Sequence, residues 1–263
     1  MRSIGAAVAT SFALGLLLST TSLTDAATQR VEGPQATTSA VNPDAVQALM
    51  RMSNYLRGLP SFEVKSDTTQ DIVTVKGQRL QLSGTAEYKV RRPNGFQIAV
   101  TSDFMTRRFY FNGKQFTISS PKLGFYATQP APPTIREMLE SAWNKNGIAL
   151  PLLDLFRWSD PQEDRAEKLS SGFYVGAVTI DGVATDHYAF READRDWEIW
   201  IEHSGRPVPR KLVIVDRSDQ ARPTYVARLT WNVAPTLTAE DFTFKPRPDS
   251  KAIHIETLDN QQG

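Results

Sequence analysis

The sequence contains no cysteine in any of its 263 residues. That absence excludes disulfide bonds, thiolate nucleophiles and cysteine metal ligands, and it removes the residue to which a bacterial lipid anchor is attached. We therefore expect a fold stabilised by its core alone and a protein with no stable membrane anchor.

An excess of charge is also lacking, with 30 Lys and Arg against 29 Asp and Glu. A nucleic-acid-binding protein needs a basic surplus gathered on one face, so we expect no nucleic acid partner. The pairs Arg91-Arg92 and Arg107-Arg108 stand at predicted strand ends, where solvated charges discourage aggregation of sheets.

Motifs that carry catalysis or metal binding are absent. The three histidines, His187, His203 and His254, have neither i,i+4 spacing nor an HExxH frame, and no glycine-rich phosphate loop precedes a helix. Asp186 and His187 are adjacent on a predicted strand and must point to opposite faces, and there is no GxSxG serine elbow. We expect no catalytic residue, no metal and no cofactor.

An acidic stretch includes Glu198 and Glu202, which alternate with Trp197, Ile199 and Ile201. Paired carboxylates are typical of glycosidases, but alternation with apolar residues favours a solvated strand face.

The N-terminus has the features of an export signal. Arg2 is followed by an apolar run over 4–18 and by small residues at 24–27, which predicts cleavage after residue 26 and a periplasmic protein. An uncleaved membrane anchor is the alternative, but the apolar run is short for spanning a bilayer and is diluted by Gly, Ser and Thr. We divide the chain into a signal peptide at 1–26, a flexible lead-in at 27–41, a single domain at 42–258 and a polar tail at 259–263.

Three helices are predicted. Asn42 and Pro43 begin an amphipathic helix over 43–58, and a capping box at Thr134 and Glu137 begins a second over 134–145. A short, very apolar third helix is predicted over 150–157.

Most of the remaining chain alternates apolar and polar residues with the period of two that β-strands require. Short turns connect the strands, so neighbours should be antiparallel. We predict an α+β fold in which a strongly curved antiparallel sheet, an open or incomplete β-barrel, has about three helices over its concave face.

An apolar concave face could bind acyl chains without any polar motif. Burying ten methylenes returns about 8 kcal/mol, comparable to the cost of association of roughly 4–15 kcal/mol. The candidate lining residues for such a ligand site are Leu80, Leu82, Tyr88, Phe96, Ile98, Phe109, Phe111, Met138, Leu139, Trp143, Leu152 and Phe156.

Several segments resemble an uncharacterised family of predicted periplasmic proteins, similar in architecture to the LolA and LolB lipoprotein carriers. The segments that carry this resemblance are RRPN at 91–94, FYFNGK at 109–114, LPLLDLF at 150–156, DWEIWIE at 196–202 and PRKLVI at 209–214. The resemblance spans about 42–248 and implies an open barrel with helices across its hollow face and an apolar cavity for acyl chains.

The leading hypothesis is a soluble periplasmic carrier that binds a lipid or the acyl chains of a lipoprotein. An alternative is an interaction module without a ligand cavity that docks an envelope protein partner. A third is an unrecognised hydrolase that uses Asp186 and His187.

Overall fold

The computed structural model describes residues 41–148, 150, 166–203 and 205–255. The signal peptide, the lead-in before residue 41, nearly all of the predicted helix at 150–157 and the tail lie outside these ranges, and so do Leu152 and Phe156.

Two α-helices match the first two predicted ones: α1 (Pro43–Gly58) and α2 (Ile135–Asn146). Asn42 caps α1 by accepting a hydrogen bond from the Asp44 amide at 2.7 Å. The predicted capping box begins α2, with Thr134 and Glu137 each accepting from the other's backbone amide. Gly147 ends α2 at a φ of 63°, in the left-handed region that favours glycine.

In the part of the chain that the structure describes, twelve strands form one unclosed, curved sheet, the curved sheet that the sequence predicts. The strands of the first half are β1 (Ser61–Val73), β2 (Arg79–Arg91), β3 (Gly95–Ser102), β4 (Thr106–Phe111), β5 (Gln115–Ser120) and β6 (Phe125–Pro130). Those of the second half are β7 (Ser171–Ile180), β8 (Val183–Arg191), β9 (Arg195–Glu202), β10 (Pro209–Asp216) and β11 (Thr224–Asn232), and a two-residue strand, β12 (Lys251–Ala252), follows.

The order across the sheet is β12-β6-β5-β4-β3-β2-β1-β11-β10-β9-β8-β7. Every pair is antiparallel except β12 with β6, which is parallel. The two meanders are joined where β1 pairs with β11, for example Glu63 opposite Asn232, a pairing that local turn signals do not predict.

The two helices pack on one face of the sheet, which we call the inner face. Ala45, Met52 and Leu56 of α1 and Met138 and Ala142 of α2 belong to the same buried cluster as the inner-face residues of the strands. One apolar face covered by helices is the arrangement that lets a single-layer sheet bury its core.

Candidate functional site

The antiparallel register places the inner-face residues in rows that cross the sheet. One row runs through Phe62, Val90, Phe96, Phe111 and Phe116. Other rows follow towards the far ends of β1 and β2, and alternate residues of each strand share this face because side chains alternate with period two.

Burial falls along the inner face from one end of the strands to the other. On β2, Val90 and Tyr88 are at most 1% exposed, Leu82 is half-buried and Leu80 is 38% exposed. On β3, Ile98 is fully buried and Val100 only partly. The inner face therefore has a covered end, under the helices, and an open end that includes Leu80, Leu82 and Val100.

Two hydroxyl groups are buried on the inner face close to the border between these ends. Ser66 and Tyr88 lie on the neighbouring strands β1 and β2, and both are about 2% exposed or less. Within the described part of the chain, neither Ser66 Oγ nor Tyr88 Oη has a hydrogen-bond partner. Burial raises the pKa of Tyr88 well above its ordinary value of 10, and Tyr225 raises it further, so the phenol stays protonated and able to donate.

An unpartnered buried hydroxyl costs about 1–3 kcal/mol. Native proteins leave few such groups, and an unsatisfied one commonly marks the place of a water or a ligand. The sequence pattern predicts Tyr88 only as an apolar lining residue and does not predict a role for Ser66. The signal for Ser66 was available, because it is the polar member of the alternation Phe62, Val64, Ser66.

The predicted lining residues fall into three groups. Tyr88, Phe96, Ile98, Phe109, Phe111 and Met138 are buried in the core cluster. Leu82 and Leu139 are partly buried, whereas Leu80 and Trp143 are exposed, Trp143 by 55%. The structure thus brings the aromatic members on the strands together in the buried core and places Leu80 and Leu82 at the open end.

A pocket of about 600 Å³ lies beside α1, between that helix, β8, β9 and the connection after β9. Ala48, Tyr188 and Ile201 supply apolar walls, and Arg51 and Asp186 supply charges of opposite sign. Asp186 Oδ2 lies 2.9 Å from Nδ1 of His203, so its partner is not the neighbouring His187.

His187 lies on the opposite, outer face of the sheet. Its Nε2 is 2.8 Å from Glu198, and its ring stacks on Trp200 at 3.9 Å between ring centroids. Burial lowers the pKa of His187, and Glu198 opposes that effect only in part. Asp186 and His187 therefore do not form a catalytic pair, as the strand geometry predicts.

The acidic stretch departs from its predicted role as a solvated face. Glu202 is 6% exposed and accepts a hydrogen bond from Nε of Arg210 at 3.0 Å. The interpretation is wrong for Glu202 because an ion pair with Arg210, which stands at a β-bulge between Pro209 and Lys211, offsets the cost of burying its carboxylate.

Among the described residues, no group of three or more histidine, aspartate or glutamate side chains is placed to hold a metal ion. Within the same ranges, no helix is long and apolar enough to span a bilayer.

Comparison with known families identifies the chain. Residues 45–256 match the model of the family described as predicted periplasmic protein (DUF2092). The chain belongs to this family. The match confirms the resemblance drawn from the sequence.

Three similar solved structures are bacterial. The Mycobacterium tuberculosis lipoprotein LppX is 15% identical, with 75% of this chain and 100% of that chain covered and a TM-score of 0.46. Mycobacterium bovis LprF is 14% identical, with 75% and 97% covered and a TM-score of 0.42. A LolA superfamily protein from Nitrosomonas europaea is 10% identical, with 76% and 97% covered and a TM-score of 0.34. No curated protein sequence matches the chain. All three TM-scores lie below 0.5, so the assignments below depend on this chain's own residues.

Proposed function

We propose that this protein is a soluble periplasmic carrier that binds a lipid, or the acyl chains of a lipoprotein, on the inner face of its sheet. The observation that carries the proposal is the combination of an apolar face left open at one end with two buried, unpartnered hydroxyls beside that opening. The signal peptide predicted at 1–26 supports the periplasmic location.

The chemistry of the opening fits an acyl ester. Leu80, Leu82 and Val100 would contact the hydrocarbon, at about 0.8 kcal/mol for each methylene removed from water. Ser66 and Tyr88 would donate hydrogen bonds to ester carbonyl oxygens, groups that an alkane lacks. Such bonds add a modest gain and remove the penalty of burying the hydroxyls alone.

The first experiment tests uptake. Native mass spectrometry of the gently purified chain, and fluorescence of a delipidated sample titrated with a labelled phospholipid, should both detect one bound lipid. A chain that never takes up lipid, under conditions in which an established carrier does, would contradict the proposal.

The second experiment places the ligand. The double variant Leu82→Trp, Val100→Trp narrows the open end and should weaken uptake at least tenfold. The matched control is Gln81→Trp, Thr101→Trp, which adds the same bulk to the same strands on the outer face and should leave uptake unchanged. Equal loss in both variants would sink the assignment to the inner face.

The third experiment tests the hydroxyls. Tyr88→Phe and Ser66→Ala should each weaken binding of an ester-linked lipid several-fold, at about 1 kcal/mol per lost hydrogen bond. Neither should change binding of an alkane of similar length. Unchanged affinity for the ester would mean that another group holds the polar part of the ligand.

A further inference from the structure

The hairpin turns at the open end of the first meander carry apolar side chains at their tips. Because the strands are antiparallel, the turns after β1, β3 and β5 all emerge at the same end of the sheet. These three turns present Val75, Phe104 and Leu123, and the latter two are each 70% exposed. The turns at the other end of the same strands contain Pro93, Asn94, Asn112 and Gly113 instead.

Two more exposed apolar residues adjoin these tips. Phe125 follows the turn after β5 and is 39% exposed, and Ile253 follows β12 and is 51% exposed. Since β12 pairs with β6, with Lys251 opposite Phe125, the two apolar residues lie at the same corner of the sheet. Phe104 and Leu123 belong to turns that are two strand spacings apart, or about 10 Å.

Four exposed cations surround the same corner. Arg107 and Arg108 are the second and third residues of β4, Lys122 precedes Leu123, and Lys251 begins β12. Across the described ranges, none of the four forms an ion pair or a side-chain hydrogen bond, and all four are exposed. The whole chain has a formal net charge of only +1, so four unpaired cations at one corner form a local positive excess.

Among the described residues, the two acidic side chains nearby are already engaged. Asp103 accepts a hydrogen bond from the Ser83 amide at 2.7 Å, and Asp249 pairs with Arg247 at 3.3 Å. Neither carboxylate forms an ion pair with one of the four cations. We call the set Phe104, Leu123, Phe125, Ile253, Arg107, Arg108, Lys122 and Lys251 the tip patch.

We propose that the tip patch docks the protein reversibly on a bilayer that contains anionic lipid. The four cations would contact the phosphates, and the apolar tips would enter the boundary between headgroups and acyl chains, as in proteins bound to one leaflet. Each cation adds attraction and each apolar side chain adds buried area, so both should be needed for stable binding.

Other occupants fit the tip patch less well. A soluble polyanion would pair with the cations but would leave Phe104 and Leu123 in water. A folded protein would need pockets for several protruding tips, whereas a bilayer accepts protruding side chains without a matching surface. A second copy of the same patch would be repelled by four like charges.

Docking at this corner would also orient the open end of the inner face. Arg107 lies on the inner face, in the row that contains Ser66, Ala86 and Val100. A bilayer held at the tip patch would therefore meet the edge of the inner face that is open. The docking proposal does not depend on lipid uptake, because a surface contact needs no ligand cavity.

The test is co-sedimentation of the full chain with vesicles of phosphatidylcholine, with or without phosphatidylglycerol. Binding is expected only with the anionic lipid, and it should weaken as salt rises. The variant Phe104→Ser, Leu123→Ser should reduce partitioning at least tenfold. The control Met50→Ser, Val178→Ser removes two exposed apolar side chains elsewhere and should bind as the unaltered chain does.

A charge variant tests whether the cations of the tip patch are needed for binding. Arg107→Gln, Arg108→Gln, Lys122→Gln should lower binding about tenfold at low salt and flatten the salt dependence. The matched control Lys114→Gln, Lys145→Gln, Lys168→Gln removes three exposed cations from other positions and should keep both the binding and its salt dependence. If the two triple variants weaken vesicle binding equally, the attraction depends on the net charge of the chain and not on the position of the cations, and the assignment to the tip patch is overturned.

Insertion is read directly with Phe104→Trp. Its fluorescence should shift to shorter wavelength on anionic vesicles and be quenched by brominated lipid, and a tryptophan placed at Val178 should show neither change. The proposal is overturned if the chain does not bind anionic vesicles, or if it binds them without a change in the fluorescence of the tryptophan at position 104. It is also overturned if a soluble polyanion displaces the chain completely while the variant Phe104→Ser, Leu123→Ser binds vesicles normally. The Leu82→Trp, Val100→Trp variant should still bind vesicles, which separates a failure of docking from a failure of lipid uptake.

Discussion

The two meanders of the sheet, β1–β6 and β7–β11, share one inner face but end in different ways. In the second meander, ion pairs connect side chains at the turns: Asp196 is hydrogen-bonded to Arg191 and paired with Arg217 and Arg222. The first meander has apolar tips and cations without partners, and its ion pairs lie on the outer face of β1 and β2. Partnered charges stabilise the turns of the second meander internally, whereas the docking surface proposed for the first meander carries cations that no described carboxylate neutralises.

The largest expected effect concerns the aromatic core of the first meander. Phe96 is fully buried, with ring centroids 5.5 Å from Phe111 and 6.3 Å from Phe116. Phe96→Ala should lower the free energy of unfolding by about 3–5 kcal/mol because it opens a cavity in close-packed surroundings. Urea-induced unfolding of the variant and of the unaltered chain measures this difference in free energy.

Phe104→Ala is the control in the same meander and should change that free energy by no more than about 0.5 kcal/mol. A similar loss in both variants would mean that Phe104 packs in the core in solution, and the contrast between core and tips would fail.

The second effect concerns the buried pair Glu202 and Arg210 of the second meander. Glu202→Ala leaves the guanidinium of Arg210, whose side chain is only 15% exposed, without its carboxylate and should destabilise the fold by about 3 kcal/mol. The double variant Glu202→Met, Arg210→Met should recover most of that loss, since it removes both charges together.

The exposed pair Lys65 and Glu87 provides the comparison. Glu87→Ala should cost less than about 1 kcal/mol by the same urea measurement. If the two glutamate variants prove equally costly, the buried ion pair is not what distinguishes the second meander.

A smaller effect depends on pH. Hydrogen bonding from Arg191 holds the pKa of Asp196 below its ordinary value of 3.8, and Arg217 and Arg222 contribute. A carboxylate whose pKa is lowered by folding stabilises the fold above the unfolded pKa and loses that contribution as pH falls through the folded pKa. Asp196→Asn should therefore cost about 1 kcal/mol near neutral pH, after discounting for solvent screening, and the deficit should shrink below pH 3.8.

The measurement is denaturant unfolding as a function of pH. The more exposed Asp181, which pairs with Arg228 alone, is the control, and Asp181→Asn should cost less than Asp196→Asn near neutral pH. A deficit for Asp196→Asn that stays constant down to the lowest pH would show that its carboxylate charge does not stabilise these turns.

The smallest effect reports on the outer face. Protonation of His187 should quench the fluorescence of Trp200, on which it stacks, with a midpoint below the ordinary pKa of 6.5 because burial lowers the pKa of His187. His187→Gln should abolish this transition, whereas His203→Gln should leave it in place. A midpoint above 6.5 would mean that Glu198 outweighs burial.

Local sequence patterns predicted much of the fold. Alternation and short turns predicted antiparallel neighbours, and consecutive strands are antiparallel within β1–β6 and within β7–β11, because alternating side chains and turn residues act over a few positions. The caps at Asn42 and Thr134 were likewise readable, since a capping side chain bonds to amides two or three residues away.

The candidate site was predictable only in part. The apolar rows followed from alternation, but the border between covered and open ends depends on where α1 and α2 lie, which no local pattern specifies. Arg107 and Arg108 were assigned to solvated strand ends, and their proximity to Phe104 and Leu123 required knowing that alternate turns share one end of the sheet.

The sequence by itself determined the α+β class, the strand period and the helix starts, because these follow from interactions between near neighbours. Only the tertiary structure decided that Glu63 and Asn232, 169 residues apart, would join the two meanders, and that Glu202 would be buried. Pairing over such distances is settled by the burial of one continuous apolar face across the whole sheet, and that is a property of the assembled chain.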